Sequence, residues 1–328
     1  MKKRIMAILL EPVFRAFLAL LLMVVIGLVF NAHGAFFKSG THLDMLRENS
    51  RYAILACGMT LVIVAGGIDL AVGSVLGMTA VCFALFTIHW GWPPLIASVA
   101  CAGIGLATGL VSGALAGQFR IQPFIATLAM MVFARGLAKS ISGGEKISTS
   151  IHQADGSFKF GTLPPVFEQL SGRVWNDTIP VVLLVLLVTA LVCWVLLSRL
   201  RWGRYLYAIG GNEEAARLSG IPIMGSKLLA YGLCGLLAAV AGICHAADEQ
   251  QGDPEAGMGY ELTAIAMVVI GGTSLSGGRG SIPLTLLGAL TIGYLDKILS
   301  LNNVETAYRL MLTGLIIVCA VLFQRAKR

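Results

Sequence analysis

Charged residues are scarce in this sequence, and their scarcity excludes a soluble globular protein. Only 12% of the 328 residues are charged and 57% are hydrophobic, whereas soluble domains carry about 25% charged residues. Within the long apolar runs, apolar and polar residues do not alternate, whereas in the strands of a membrane barrel they would. The composition therefore predicts an all-α, polytopic helical membrane protein.

Motifs for catalysis and for ATP hydrolysis are also missing. The sequence has no Gly-x-x-x-x-Gly-Lys-Ser/Thr loop to hold phosphates, because the segment 277–280 has neither the lysine nor the spacing. We find no Ser/His/Asp set and no pair of catalytic carboxylates. The seven cysteines all lie in apolar runs without metal-ligand spacing. We therefore expect no catalytic residues, no metal site and no cofactor, and the chain by itself is not expected to be an enzyme.

Apolar segments of bilayer length predict about ten membrane spans, since one span needs about 20 residues. The expected spans are 16–34, 52–67, 70–89, 94–116, 123–141, 179–198, 227–247, 261–271, 281–299 and 308–324.

Basic residues favour one side of these spans, which the positive-inside rule assigns to the cytoplasm. Both termini are basic, at residues 2–4 and 325–328, and are expected to be cytoplasmic. The loops 142–178 and 248–260 are then outside, and the loop 199–225 is inside. Five basic residues oppose this assignment: Lys38, Arg47, Lys146, Lys159 and Arg173.

Asp69 is the only charged residue between Tyr52 and Phe119. A carboxylate at membrane depth costs roughly 3 kcal/mol on insertion scales, so such residues usually face a bundle interior or a water-filled path. Two roles remain open: Asp69 caps an unwound segment by accepting backbone N–H bonds, or it contacts a substrate. We favour the capping role, because bonds from free N–H groups offset the cost of burial.

Two short spans, 52–67 and 261–271, each end at a glycine pair. The segment 64–70 resembles 269–275, which pairs Gly66-Gly67 with Gly271-Gly272. Paired, glycine-interrupted segments are typical of a transporter pathway, although chance similarity is the alternative in a chain with 39 glycines. We expect one transmembrane domain, 1–328, with glycine-broken helices in two related halves, roughly 1–175 and 176–328. The candidate pathway residues are Gly66, Gly67, Asp69, Ser74, Gln122, Thr127, Gly271, Gly272, Thr273 and Ser274.

The cytoplasmic loop 199–225 contains a short helix in its second half. Asn212 can cap its start, acidic residues follow in the first turn, and Gly220 and Pro222 end it. A small contact face suits docking into a groove of a partner, and an ordinary amphipathic linker is the alternative. The candidate coupling residues are Asn212, Glu213, Glu214, Ala215, Ala216, Arg217 and Gly220, with the contact face at Ala215, Ala216 and Leu218.

Four segments together resemble the permease subunits of bacterial ABC importers for monosaccharides, of the ribose, xylose, arabinose and galactofuranose type. They are Ala-Gly-Gly-Ile-Asp-Leu-Ala-Val-Gly-Ser (65–74), Ile-Gln-Pro-Phe-Ile-Ala-Thr-Leu (121–128), Ala-Ile-Gly-Gly-Asn-Glu-Glu-Ala-Ala-Arg-Leu-Ser-Gly-Ile (208–221) and Val-Ile-Gly-Gly-Thr-Ser-Leu-Ser-Gly-Gly (269–278). The resemblance extends over about residues 50–325. One departure is Thr263, where many such permeases have Asp.

The resemblance implies a permease that moves a monosaccharide across the bacterial inner membrane. The implied partners are a cytoplasmic ATPase with two fused nucleotide-binding domains, a periplasmic sugar-binding protein and a second permease subunit, identical or paralogous. The residues alone leave two other classes open. One is an ion-coupled secondary carrier that uses Asp69, and the other is a membrane-integral enzyme or channel.

Overall fold

The computed structural model describes residues 12–152 and 157–325, and within these ranges the chain is predominantly helical. The charged ends at residues 2–4 and 326–328 lie outside the described residues. The helices are α1 (Pro12–Val29), α2 (Ser39–Val64), α3 (Val72–Ala84), α4 (Pro94–Gly117), α5 (Pro123–Ser142), α6 (Pro165–Ser171), α7 (Val181–Arg199), α8 (Arg201–Gly211), α9 (Glu213–Leu218), α10 (Ile223–Glu249), α11 (Tyr260–Ile270), α12 (Ile282–Leu301) and α13 (Thr306–Arg325). A 3-10 turn (Ala35–Phe37) precedes α2, and a π-helical turn (Leu85–His89) extends α3.

Short strands occur in the polar segment between α5 and α7, paired antiparallel as β1 with β2 and β3 with β4. Ile147 and Gly252 exchange two backbone hydrogen bonds of 2.8 Å each, which join this segment to the connection between α10 and α11. The two segments that were expected outside therefore lie at the same end of the helix bundle. The strands are β1 (Ser150–His152), β2 (Phe158–Phe160), β3 (Arg173–Val174) and β4 (Ile179–Pro180).

Helix α2 is much longer than the predicted span 52–67, because it begins at Ser39. The prediction that this span is short is therefore wrong. Charged residues interrupt the apolar pattern in its first part, and a carboxylate or cation facing lipid would be costly. Each of them instead pairs with an opposite charge on another element. The pairs are Asp44 with Arg173 (2.6 Å), Arg47 with Asp248, Arg51 with Asp248 (3.0 Å) and Glu48 with Lys297 (3.1 Å).

Ion pairs also account for three of the basic residues that oppose the positive-inside assignment. Arg47 and Arg173 are neutralised by the pairs of α2, and Lys146 lies 3.1 Å from Asp253. Burial raises the pKa of the Asp253 carboxyl. The hydrogen bond from the Glu255 N–H and the nearby Lys146 ammonium together lower it by more, so the net shift of the pKa is downward. These three cations are therefore each accommodated by an acidic partner at their end of the bundle.

Six helices in the described ranges are long and apolar enough to cross a membrane: α3 with its π-helical turn, α4, α5, α7, α10 and α12. The apolar helices Val13–Val29 and α11 are shorter. The chain is thus a multi-pass helical membrane protein, as its composition predicts. The count of about ten spans stays a prediction.

Helices α4 and α10 approach each other at their backbones. A Cβ atom on Gly105 of α4 would overlap the carbonyl oxygen of Gly235 on α10, and one on Gly109 would overlap that of Tyr231. Small residues four apart permit such contact between helices in a membrane. Helix α3 packs beside this pair, and each of its residues is buried.

The connection between α10 and α11 runs inward along α3. A Cβ on Gly252 would lie 2.7 Å from the Cα of Val81, whereas Gly257 lies against Gly73, eight residues earlier. Eight helical residues rise about 12 Å, and the 11 residues of α11 add about 16 Å. Together they approach the roughly 30 Å of a hydrocarbon core. Helix α11 is therefore short, as predicted, because a non-helical connection built of turns covers the outer part of the distance.

Arg135 of α5 holds this inward connection in place. Its Nη1 atom donates to the carbonyl oxygens of Ala256, at 2.8 Å, and Pro254. Irregular backbone at membrane depth is tolerated only where protein or a cavity satisfies its polar groups. Arg135 supplies that satisfaction from a neighbouring helix.

Candidate functional site

The first glycine break follows the end of α2 at Val64. Gly66 has a φ of +80°, a conformation that favours glycine. Its N–H donates to the Ile63 carbonyl oxygen at 2.9 Å, and the N–H of Gly67 donates to that of Val62 at 3.0 Å. This pair of bonds is a Schellman motif, which ends a helix and satisfies its last carbonyl groups.

The second break, after α11, repeats the same geometry. Gly272 has a φ of +102°, and its N–H donates to Val269 at 2.9 Å. The N–H of Thr273 donates to Val268 at 3.1 Å. Gly66 therefore corresponds to Gly272, one residue away from the alignment read in the sequence. Gly271, which that alignment matched to Gly66, instead lies in close packing against α12, where a Cβ would overlap the Leu284 carbonyl oxygen.

The two breaks meet at helix α8, in a contact that we call the glycine junction: Gly66, Gly210 and Gly277. A Cβ on Gly277 would lie 2.8 Å from the Cα of Gly210 and 2.9 Å from that of Gly66. The N–H of Gly278 donates to the Val64 carbonyl oxygen at 2.9 Å. Three backbones thus touch with no side chain between them, and a displacement of α8 must disturb both breaks.

Tyr207 gives α8 a second attachment to the loop after α11. Its hydroxyl group donates to the carbonyl oxygen of Gly280 at 2.7 Å. Within that loop, Ser274 accepts from the Gly277 N–H at 3.0 Å, and its own N–H donates to Arg279 at 3.0 Å. The Oγ atoms of Ser274 and Ser276 lie 2.8 Å apart. The loop is therefore an ordered turn whose tip contacts α8.

Asp69 lies within the first break and is only 3% exposed. Its Oδ1 atom accepts a hydrogen bond from the N–H of Ala71 at 2.9 Å. A carboxylate that bonds the N–H two residues on forms an Asx turn, and here the turn leads directly into α3. The position also suits a negative charge, because the first turn of a helix is electropositive. The Cys234 thiol of α10 is a second polar neighbour.

The remaining candidate pathway residues lie at different distances from the breaks. Thr127 of α5 is buried, with its Oγ1 atom 3.3 Å from the Ile68 carbonyl oxygen and donating to Pro123 at 2.9 Å. Ser74 is buried in the first turn of α3, and Thr273 is buried after the second break. Gln122 is exposed just before α5. The structure thus places Thr127 against the residue before Asp69, whereas Gln122 is exposed.

Sequence reasoning missed three glycines and a tyrosine at this site. Gly210, Gly277 and Gly278 belong to glycine pairs of the same kind as Gly66-Gly67, which was the available signal. Tyr231 of α10 lies beneath the first break, where a Cβ on Gly67 would overlap its hydroxyl oxygen. No sequence pattern marks Tyr231, because it sits in an otherwise apolar run.

The segment 199–225 is more helical than predicted. The predicted short helix is present as α9, and α8 precedes it without an intervening loop. Gly203, Leu206 and Ile209 form the buried face of α8, and their helical spacing was the sequence signal for it. A Cβ on Gly203 would overlap the Leu197 carbonyl oxygen, so α8 folds back tightly onto α7.

Helix α9 is capped and anchored. The Oδ1 atom of Asn212 accepts from the Ala215 N–H at 3.0 Å, which confirms the predicted cap. Glu213 pairs with Lys227 of α10 at 2.8 Å, and Glu214 pairs with Arg217. Gly220 follows with a φ of +79°.

The predicted contact face of α9 is divided in the structure. Ala216 is buried against this chain, so it cannot be presented to a partner as predicted. Ala215 is exposed, and the Leu218 side chain is 80% exposed. Ala215 and Leu218 are therefore the part of the predicted face that remains exposed.

Comparison with known proteins gives consistent matches over most of the chain. The family of branched-chain amino acid transport system permease components matches residues 41–321. The ribose import permease of Escherichia coli K12 is 40% identical over 309 residues, 94% of this chain and 92% of that protein. The fructose import permease of Rhizobium meliloti is 35% identical over 290 residues, 88% and 78% of the two chains. The galactofuranose transporter permease of Escherichia coli K12 is 36% identical over 286 residues, 87% and 80%. No solved structure matches.

Proposed function

Because the chain belongs to this family of transport permease components, we propose that it is the membrane subunit of an ATP-driven monosaccharide importer of the bacterial inner membrane. The observation that carries the proposal is the 40% identity to a ribose import permease over 94% of the chain. Fructose and galactofuranose permeases match over nearly as much of it. These matches support a monosaccharide of this kind, a pentose or a hexose, as the substrate and do not select one of them.

The partners in this proposal are those of an ABC importer. A separate cytoplasmic ATPase with two fused nucleotide-binding domains hydrolyses ATP, a periplasmic sugar-binding protein delivers the sugar, and a second permease subunit, identical or paralogous, completes the pathway. The exposed side of α9 supports a docked ATPase at one end of the bundle. The absence of a phosphate-binding loop from the sequence agrees with hydrolysis in a separate subunit.

The proposed architecture is one permease domain with two related halves, about ten spans and both termini in the cytoplasm. The repeated Schellman motif supports the relation between the halves, because Gly66 and Gly272 end corresponding helices. The placement of segments 142–178 and 248–260 at one end, and of α8 and α9 at the other, supports the orientation.

The proposed mechanism uses the glycine junction as the inner gate. When ATP closes the ATPase, α9 moves with it. Helix α8 follows, because only Asn212 separates the two helices. The contact of Gly210 with Gly66 and Gly277 is then disturbed, the spans rock, and a passage lined by the glycine breaks opens to one side and then the other. A sugar has no net charge, so backbone carbonyls freed at the breaks and nearby hydroxyl groups are sufficient to bind it through hydrogen bonds.

Asp69 has a structural role in this mechanism. Its bond to the Ala71 N–H and its place before α3 support a cap that shapes the first break. An ion-coupled carrier that uses Asp69 is the competing function. It predicts uptake by this chain alone, driven by a proton or sodium gradient.

Reconstitution distinguishes the two functions. The chain is assembled with the ATPase, sugar-binding protein and second permease encoded with it, and uptake of D-ribose, D-fructose and D-galactose into proteoliposomes is measured. Import that requires ATP and the sugar-binding protein supports the proposal. Import by the chain alone that follows an ion gradient refutes it in favour of the carrier.

A further inference from the structure

A cavity of about 250 Å³ lies between α2, α11, α12 and α13, in the half of the bundle away from α8 and α9. It is smaller than the roughly 300–1,000 Å³ of pockets that hold drug-sized ligands. Its polar lining includes Glu48, Asn49, Tyr52, Thr263, Asp296 and Thr313.

Charged residues at the cavity are already paired. Glu48 lies 3.1 Å from the Lys297 Nζ atom, and Asp296 lies 3.0 Å from Arg309. The four groups carry no net charge. An ionised carboxylate offers about four lone-pair sites, so each acid retains capacity to accept hydrogen bonds from an uncharged ligand.

The inner wall of the cavity is built rigidly. The Nδ2 atom of Asn49 donates to the Ala289 carbonyl oxygen at 2.9 Å, and the side chain is buried. Gly293 makes room for it, because a Cβ there would lie 2.7 Å from the amide. Tyr52 packs on Tyr260 with ring centroids 4.4 Å apart, which fixes an aromatic wall. Fixed polar groups beside an aromatic ring suit a ligand with hydroxyl groups and an apolar face.

The cavity leads toward the second break. Met267 forms part of its lining, and the Met267 carbonyl oxygen accepts from the Gly271 N–H at 3.0 Å. Four helical residues rise about 6 Å. The inner end of the cavity is therefore about one helical turn from the segment that reaches the glycine junction.

We propose that this cavity binds one monosaccharide ring, as an outer waiting site on the way to the inner gate. The inference rests on the proposed function and adds the position at which the sugar is held. Paired charges disfavour a free amino acid, whose ammonium and carboxylate groups need unpaired counter-charges. The polar lining disfavours a lipid chain, which would leave those groups without partners.

Filling the cavity tests the proposal in the assembled importer. Thr263→Phe and Thr313→Phe place a ring in the cavity, whereas Leu262→Phe and Leu315→Phe add the same ring on the same helices at exposed positions outside its lining. Sugar uptake should fall at least tenfold in the first pair, with subunit assembly intact. It should stay within twofold of wild type in the second pair. Wild-type uptake in the cavity-filled variants overturns the inference.

Labelling gives a second readout if the filled variants do not assemble. Thr263→Cys, in a background lacking the seven native cysteines, is treated from outside with a methanethiosulfonate reagent. Saturating D-ribose, D-fructose or D-galactose, whichever wild type imports, should slow the labelling at least fivefold. Unchanged labelling overturns the waiting site even where ATP-driven import holds. Failure of the wild type to import any of the sugars refutes the proposed function separately.

Discussion

The glycine junction predicts opposite effects for two adjacent substitutions in α8. In Gly210→Ala, the new Cβ would overlap the Val64 carbonyl oxygen, which accepts the bond from Gly278. In Gly211→Ala, the new Cβ meets nothing within 4 Å. The second variant therefore controls for the change of residue type and for the helix in which it lies.

The cost to the closed junction follows from two contacts. Overpacking against backbone costs about 1–3 kcal/mol, and weakening the bond between Gly278 and Val64 costs about 0.5–1.5 kcal/mol. The helix propensity gained on replacing glycine by alanine, about 0.5–1 kcal/mol, does not enter this difference, because α8 is helical in both the closed and the open state. The closed junction is therefore destabilised by about 1.5–4.5 kcal/mol, which lowers the ratio of closed to open junction by at least about tenfold. Gly211→Ala creates no overlap and weakens no bond, so it leaves this ratio unchanged.

Efflux from sugar-loaded proteoliposomes measures this population. Without ATP, the importer that carries Gly210→Ala should release sugar at least tenfold faster than wild type, and it should import less sugar per ATP hydrolysed. The Gly211→Ala importer should match wild type in both measurements. Equal efflux from the two variants would refute the gate at the junction, because the overlap at Gly210 would then have no consequence.

Three further predictions concern orientation, the first break and docking. Single cysteines at Ser157 and Ser219 should label from opposite sides of the membrane; labelling from one side contradicts the orientation. Asp69→Asn keeps an acceptor for the Ala71 N–H and should retain part of the uptake. Asp69→Leu leaves that N–H unpaired, at a cost of about 1–3 kcal/mol, and should lose uptake. Wild-type uptake by the leucine variant contradicts the capping role. Leu218→Arg should reduce co-purification of the ATPase at least fivefold without altering the thermal stability of the chain. Ala216→Arg should instead lower the thermal stability, because it buries a charge. Unchanged co-purification of the Leu218 variant argues against docking at α9.

Local backbone signals in the sequence predicted local structure well. The cap at Asn212 and the shortness of α11 both follow from residues within a few positions of the feature. The helix ends near Gly66 and Gly272 were also expected. The alignment between them was wrong by one residue, because the positive φ falls on the second glycine of one pair and the first of the other.

Features that depend on residues distant in the chain could not be predicted from the sequence. The start of α2 reads as too polar for a span, since the cations and acids that neutralise it lie as far away as Asp248 and Lys297. The glycine junction likewise joins residues from three separate segments. A sequence indicates that a glycine is available, but only the fold shows which backbone approaches it.

The inward connection between α10 and α11 constrains how the protein is made. Helix α11 is too short to enter a bilayer as an independent segment, and the chain before it has carbonyl groups that require Arg135. Helices α3 and α5 must therefore be in the membrane before the connection and α11 can fold into place. Synthesis from the N-terminus supplies them in that order. A rearranged gene that encoded α11 ahead of α3 would deliver the connection before its supports, and the region would be retained in water or degraded.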